Sequence, residues 1–186
     1  NPILASVTQQ EPTMLNTLLL SSLALFTPTL TGCPDWPQYN GSGHDRTVDQ
    51  TIAKRLWGDS PPATEWTIAT PAGFSSFTLA EGLAYTLVER DGKETAIALD
   101  AETGEETWAF TTEKVKYDGG GGSGTENNRG GDGPRTCVSY QDGRVFVMTS
   151  DLHLHCLDAK TGEGRWDVDL IADYEGRNIT WQNAAS

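Results

Sequence analysis

The chain has 186 residues, with 13 Lys and Arg against 26 Asp and Glu, a net charge of -13. That charge repels phosphate backbones and so argues against nucleic-acid binding, while the length is ample for a packed core. Three cysteines, Cys33, Cys137 and Cys156, without C-x-x-C or C-x-x-C-H spacing, exclude a disulfide scaffold, a dithiol redox motif and a c-type haem site.

Residues 15–30 are apolar and uncharged, broken by Pro28, and lead into Leu30-Thr31-Gly32-Cys33. The run is shorter than the ~20 residues that span a bilayer comfortably, and small residues before a cysteine suit the narrow cleft of a lipoprotein signal peptidase. Residues 1–33 therefore read as a leader whose last four residues resemble a bacterial lipobox. Cys33 is then the lipid attachment site of an exported, membrane-anchored protein. No Lys or Arg precedes Arg46, which keeps an uncleaved anchor and a buried apolar segment open as competing readings; since the sequence begins with Asn1, Met14 is the expected start position.

Residues 34–72 hold an opening segment, Trp36-Pro-Gln-Tyr-Asn-Gly41, and a partial unit that ends at Trp66. The first full unit covers 73–115. Strands are expected over 74–80, 83–88 and 96–99, joined by Glu81-Gly82 and Asp91-Gly92-Lys93, because Gly after an acidic residue takes the positive φ of a tight hairpin. The last hairpin is an eleven-residue phrase, Ala98-Leu-Asp-Ala-Glu-Thr-Gly-Glu-Glu-Thr-Trp108. In it Asp100 bonds the backbone ahead, Thr103 adds a hydroxyl, Gly104 takes the left-handed position and Trp108 rides on the outgoing strand.

Residues 116–134 form a Gly-rich loop. It lacks the Lys of a phosphate loop, and Asp118, Glu126 and Asp132 match no defined calcium-loop spacing, which leaves a rim excursion suited to partner contacts. Residues 135–172 then repeat the first unit, with strands over 136–141, 144–149 and 154–157. The phrase returns as Cys156-Leu-Asp-Ala-Lys-Thr-Gly-Glu-Gly-Arg-Trp166, so Asp158, Thr161, Gly162 and Trp166 stand where Asp100, Thr103, Gly104 and Trp108 did. His153 and His155 alternate along a strand and share a face opposite Cys156. Two imidazoles are half a metal site, and without a third ligand they read as histidines between units or at the rim. Residues 173–186 read as the start of a further unit, with an opening strand over 178–186. Four short antiparallel strands per unit, each unit carrying a tryptophan broad enough to cover its neighbour, describe blades of a β-propeller.

The phrase resembles the pyrroloquinoline-quinone (PQQ) type propeller repeat, marked Ala-x-Asp-x-x-Thr-Gly-x-x-x-Trp. The first copy matches every marked position, and the second replaces only the alanine, with Cys156. The opening segment is similar to that of exported bacterial propellers of this type. The resemblance implies an all-β fold, an incomplete β-propeller with about two full four-stranded antiparallel blades and partial flanking strands. It also implies one of two roles. The first is a non-catalytic scaffold of the periplasm or cell envelope, without cofactor or metal, binding protein or polymer partners through its loops. The alternative is part of a quinoprotein that holds PQQ and calcium and oxidises alcohols or sugars. No catalytic residue is assigned, because no Ser-His-Asp or Cys-His arrangement has motif context. The adjacent cysteines often found beside the quinone are absent from this sequence, which favours the scaffold.

Overall fold

Tight turns between short β-branched and aromatic runs fold the described residues into two sheets, each with four strands paired antiparallel in sequence order. In a computed structural model, residues 35–48, 63–71, 73–115, 133–179 and 183–184 are described. Cys33 with its leader, and residues 116–132 of the Gly-rich loop, lie outside them. The first sheet comprises β1 (Thr78–Ala80), β2 (Leu83–Arg90), β3 (Lys93–Asp100) and β4 (Glu106–Lys114). The second comprises β5 (Ser139–Gln141), β6 (Arg144–Met148), β7 (His153–Asp158) and β8 (Gly164–Asp169). Both residues of the two-residue turns have positive φ, at Glu81 and Gly82, Asp91 and Gly92, and Asp142 and Gly143. That backbone twist matches the strands it joins, and glycine at the second position removes the Cβ penalty.

Alternation along the strands gives the first sheet two buried faces. Tyr85, Leu87, Ala96, Ala98 and Trp108 pack against Val138 and against Val145, Val147 and Leu157 of the second sheet. Ala84, Val88, Ile97 and Leu99 face the other way, onto Trp66 and Ile68 of the partial unit. The sheet is thus sandwiched between neighbours, as a propeller blade is, which is why β2 and β3 read as almost continuous apolar runs.

The innermost strands are shorter than the expected 74–80 and 136–141. Residues 73–77 and 134–138 instead meet each other, because the inner edges of neighbouring blades converge. Phe74 N–H donates to Pro134 O at 2.7 Å, and the Ser75 and Thr78 hydroxyls donate to the carbonyls of Thr136 and Val138. The opening segment closes the remaining edge: Trp36 exchanges two backbone bonds with Leu79, at 2.7 and 3.0 Å, and Pro37 O accepts from Tyr140 N–H at 2.7 Å. Edge amides that would invite another strand are satisfied this way.

After β8 the chain makes one short helix, α1 (Leu170–Tyr174), which the sequence reading did not anticipate. Asp169 caps it, accepting from the N–H groups of Ile171 and Ala172, and the turn ends at Glu175 in the left-handed conformation. The strand expected over 178–186 does not form at the described positions. Asn178 and Ile179 are irregular, and the Asn178 amide donates to Ser150 O at 2.6 Å.

Candidate functional site

The repeated phrase builds the same device twice. Asp100 Oδ1 accepts from Glu102 N–H, Thr103 N–H and the Thr103 hydroxyl at 2.8–3.0 Å; Asp158 Oδ1 accepts from Lys160 N–H, Thr161 N–H and the Thr161 hydroxyl at 3.0–3.3 Å. These bonds hold the Asp100 carboxyl below its ordinary range. At Asp158 the Arg165 guanidinium, 2.6 Å away, is the larger cause of the same shift. The threonine hydroxyls accept in turn from the N–H of Glu105 and Glu163. Gly104 and Gly162 take φ of +74° and +72°. In each sheet the ladder slips by one residue beside the tryptophan, between Ala98 and Leu99 and between Cys156 and Leu157.

The rigid hairpin is a seat for the tryptophan of the preceding unit. Trp66 Nε1–H donates to Ala101 O at 3.1 Å, and Trp108 Nε1–H donates to Ala159 O at 2.9 Å. The indoles lie on the glycines. A Cβ built at Gly104 would stand 2.7 Å from Trp66 Cδ2, and one at Gly162 would stand 2.6 Å from Trp108 Cε3. Ala98 and Trp108 are cross-strand partners, as are Cys156 and Trp166, so all ten marked residues fall in two equivalent hairpins. The two tryptophans also differ in exposure: Trp108 is 9% exposed, Trp166 45%.

A second contact crosses the same seam. Glu94 is fully buried in phase with Ala96 and Ala98, and its carboxylate accepts from Ser150 N–H at 2.9 Å and from the Ser150 hydroxyl. Sequence reasoning missed it. The signal was a charge on the inward phase of an otherwise apolar strand.

The histidines share a face: their rings stack at 4.4 Å, His155 packs on Phe110 across the seam at 5.3 Å, and His153 pairs with Asp167 at 2.7 Å. Phe110, His155, Arg165, Trp166 and Asp167 border a cleft of about 210 Å³. His155 is 8% exposed, and among the described residues its Nε2 has no hydrogen-bond partner. Burial, with His153 adding to it, lowers the His155 pKa against the weaker opposing pull of Asp167 and Asp151. A folded value below the unfolded one, near 6.5, means stability that is complete above about pH 6.5 and is lost as pH falls through the folded value. Urea midpoints should therefore drop on acidification from pH 7 to 5, and His155→Leu should remove part of that slope. An identical slope in the variant would mean that His155 charges as freely folded as unfolded.

Among the described residues, no three His, Cys, Asp or Glu side chains gather to hold a metal ion. Cys137 and Cys156 are separate buried thiols, Cys137 accepting from the Ser76 hydroxyl at 3.0 Å. The acidic residues Asp118, Glu126 and Asp132, like Cys33, lie outside the described residues. No described helix is long and apolar enough to cross a membrane.

Residues 92–179 match a family model described as outer membrane protein assembly factor BamB. Among curated proteins, the quinohemoprotein alcohol dehydrogenase ADH-IIG of Pseudomonas putida is 33% identical over 78 residues, covering 42% of this chain and 10% of that protein. Among solved structures, the quinohemoprotein alcohol dehydrogenase of Comamonas testosteroni aligns with a TM-score of 0.49 at 20% identity, over 79% of this chain and 20% of that one. BamB of Moraxella catarrhalis aligns with a TM-score of 0.31 at 21% identity, over 52% of this chain and 23% of that one. The chain thus spans a small fraction of the relatives it matches. Twice-repeated hairpins, sheets in sequence order and a family match that starts at β3 and runs through the second sheet are those of PQQ-like β-propeller repeats.

Proposed function

We propose that the protein is a non-catalytic scaffold of the bacterial cell envelope, anchored through a lipid on Cys33, whose blades present loops to protein or polymer partners. The observation that carries this reading is the use made of the repeat's polar groups. The carboxylates of Asp100 and Asp158 are occupied by their own hairpins, and the indole N–H groups of Trp66 and Trp108 by the next hairpin. The match of residues 92–179 to a family described as an assembly factor points the same way. Function in such repeats resides in what is grafted onto the blades, and the Gly-rich segment is the largest graft in this sequence.

The likeness to quinohemoprotein alcohol dehydrogenases supports a second reading, a quinoprotein holding PQQ and calcium. Among the described residues no three His, Cys, Asp or Glu side chains gather, and Cys137 and Cys156 are separate thiols. The two readings separate by experiment. Given PQQ and calcium, the protein should retain no chromophore and reduce no dye with alcohols or aldoses. A photo-crosslinker at Asn127 should give one discrete envelope adduct. A retained quinone with substrate-dependent dye reduction would replace the scaffold by the enzyme.

A further inference from the structure

The opening segment is pinned more firmly than an edge cover requires. Gly41 lies so close to the Trp36 ring that a Cβ there would stand 2.9 Å from Cη2, and Trp36 is itself bonded to Leu79 through both its N–H and its carbonyl. From that anchor the chain folds back on itself: His44 N–H donates to Gly41 O at 3.2 Å, Arg46 N–H to Asn40 O at 3.0 Å and Arg46 Nε–H to Asn40 Oδ1 at 2.9 Å. His44 and Arg46 hold φ of 56° and 62°, a left-handed backbone that a residue with a Cβ adopts only at a cost. A loop held this way fixes its side chains before any ligand arrives. Gln38, Ser42 and His44 of this loop line, with Ser139, Gln141 and Phe146 of the second sheet, a cleft of about 420 Å³. Small-molecule sites run from about 300 to 1,000 Å³.

None of the residues lining the cleft is Asp, Glu, Lys or Arg, in a chain whose net charge is -13. An ion seated there would lose hydration without gaining a counter-charge, and a hydrocarbon would leave amides and hydroxyls unpaired. An extended peptide adds along a strand edge, but the Tyr140 N–H that would receive it at β5 already donates to Pro37 O. What the cleft offers is two primary amides and two serine hydroxyls, which donate and accept as sugar hydroxyls do, beside a Phe146 ring that gives the C–H face of a sugar an apolar surface. The Gln38 amide nitrogen is committed to Gly41 O and to His44 Nε2, both at 2.9 Å, which leaves its oxygen to accept from a ligand. We propose that this cleft binds an uncharged saccharide. The inference names one polymer chemistry for the scaffold and in that respect rests on the scaffold reading. The crosslink at Asn127 tests that reading at a different segment, so either can fail alone.

The test titrates the full chain with maltotriose, cellotriose and triacetylchitotriose and follows the imidazole C–H resonances by NMR, that of His44 being assigned from His44→Gln. At least one of the three sugars should shift the His44 signals saturably and leave those of His153 and His155 in place. Gln141→Ala, at an exposed position, should weaken binding of that sugar about tenfold with the tryptophan indole signals unchanged. Tyr174→Ala, 72% exposed on α1 and not a lining residue, should bind as the parent does. No saturable His44 shift with any of the three sugars overturns the site, as does equal binding by Gln141→Ala. Trialanine or glucuronate moving the His44 signals as strongly as the sugar also overturns it, since the cleft would then select neither hydroxyls nor neutrality.

Discussion

Trp108→Ala is expected to cost about 3–5 kcal/mol of unfolding free energy, the usual range for removing a buried tryptophan, and to lower the urea midpoint accordingly. The indole is 9% exposed, rests on Tyr85 and on the Gly162 backbone, and donates to Ala159 O. Its removal therefore opens a cavity between blades rather than within one. Trp108→Phe separates packing from hydrogen bonding. The Ala159 carbonyl also accepts from the Tyr85 hydroxyl at 3.3 Å, so it is not left bare, and the loss should be about 1–2 kcal/mol. Trp166→Ala, at a site where no hairpin of the described residues is seated, should cost much less. Equal losses at Trp108 and Trp166 would mean that the repeat tryptophans act inside their own sheets.

The contrast shows what a repeat makes legible. Asp100, Thr103 and Gly104 act within one turn, so their bonds follow from spacing alone, and recurrence at Asp158, Thr161 and Gly162 turns the spacing into an architecture. The tryptophan's partner is non-local, yet legible in kind, since a broad ring at one position per unit has the neighbouring unit to cover. Other features depend on what neighbours supply. The inner strands shrink to three residues because Ser75 and Thr78 bond across to the next blade. Glu94 was visible as a misfit, but its partner Ser150 is 56 residues away and follows no motif. Helix α1 had a cap signal, Asp169 ahead of Leu170-Ile171 and Gly176 beyond the end, but five residues are too few for a periodicity to register.

Gly162→Ala and Gly143→Ala form a matched pair that isolates the seat itself. Both glycines have φ of +72°, and both variants lose the same unfolded-chain entropy, so conformational terms nearly cancel in the comparison. At Gly143 a Cβ meets nothing within 4 Å, and only the left-handed penalty of about 1–2 kcal/mol applies. At Gly162 the Cβ would lie 2.6 Å from Trp108 Cε3, adding about 1–3 kcal/mol of overpacking, for a total of about 2–5 kcal/mol by equilibrium denaturation. The excess should vanish in a Trp108→Ala background, where the ring that the methyl strikes is gone, so the two substitutions should be strongly non-additive. Additive losses, or equal losses at Gly143 and Gly162, would place the glycine requirement in the turn alone and detach it from the packing of one blade on the next.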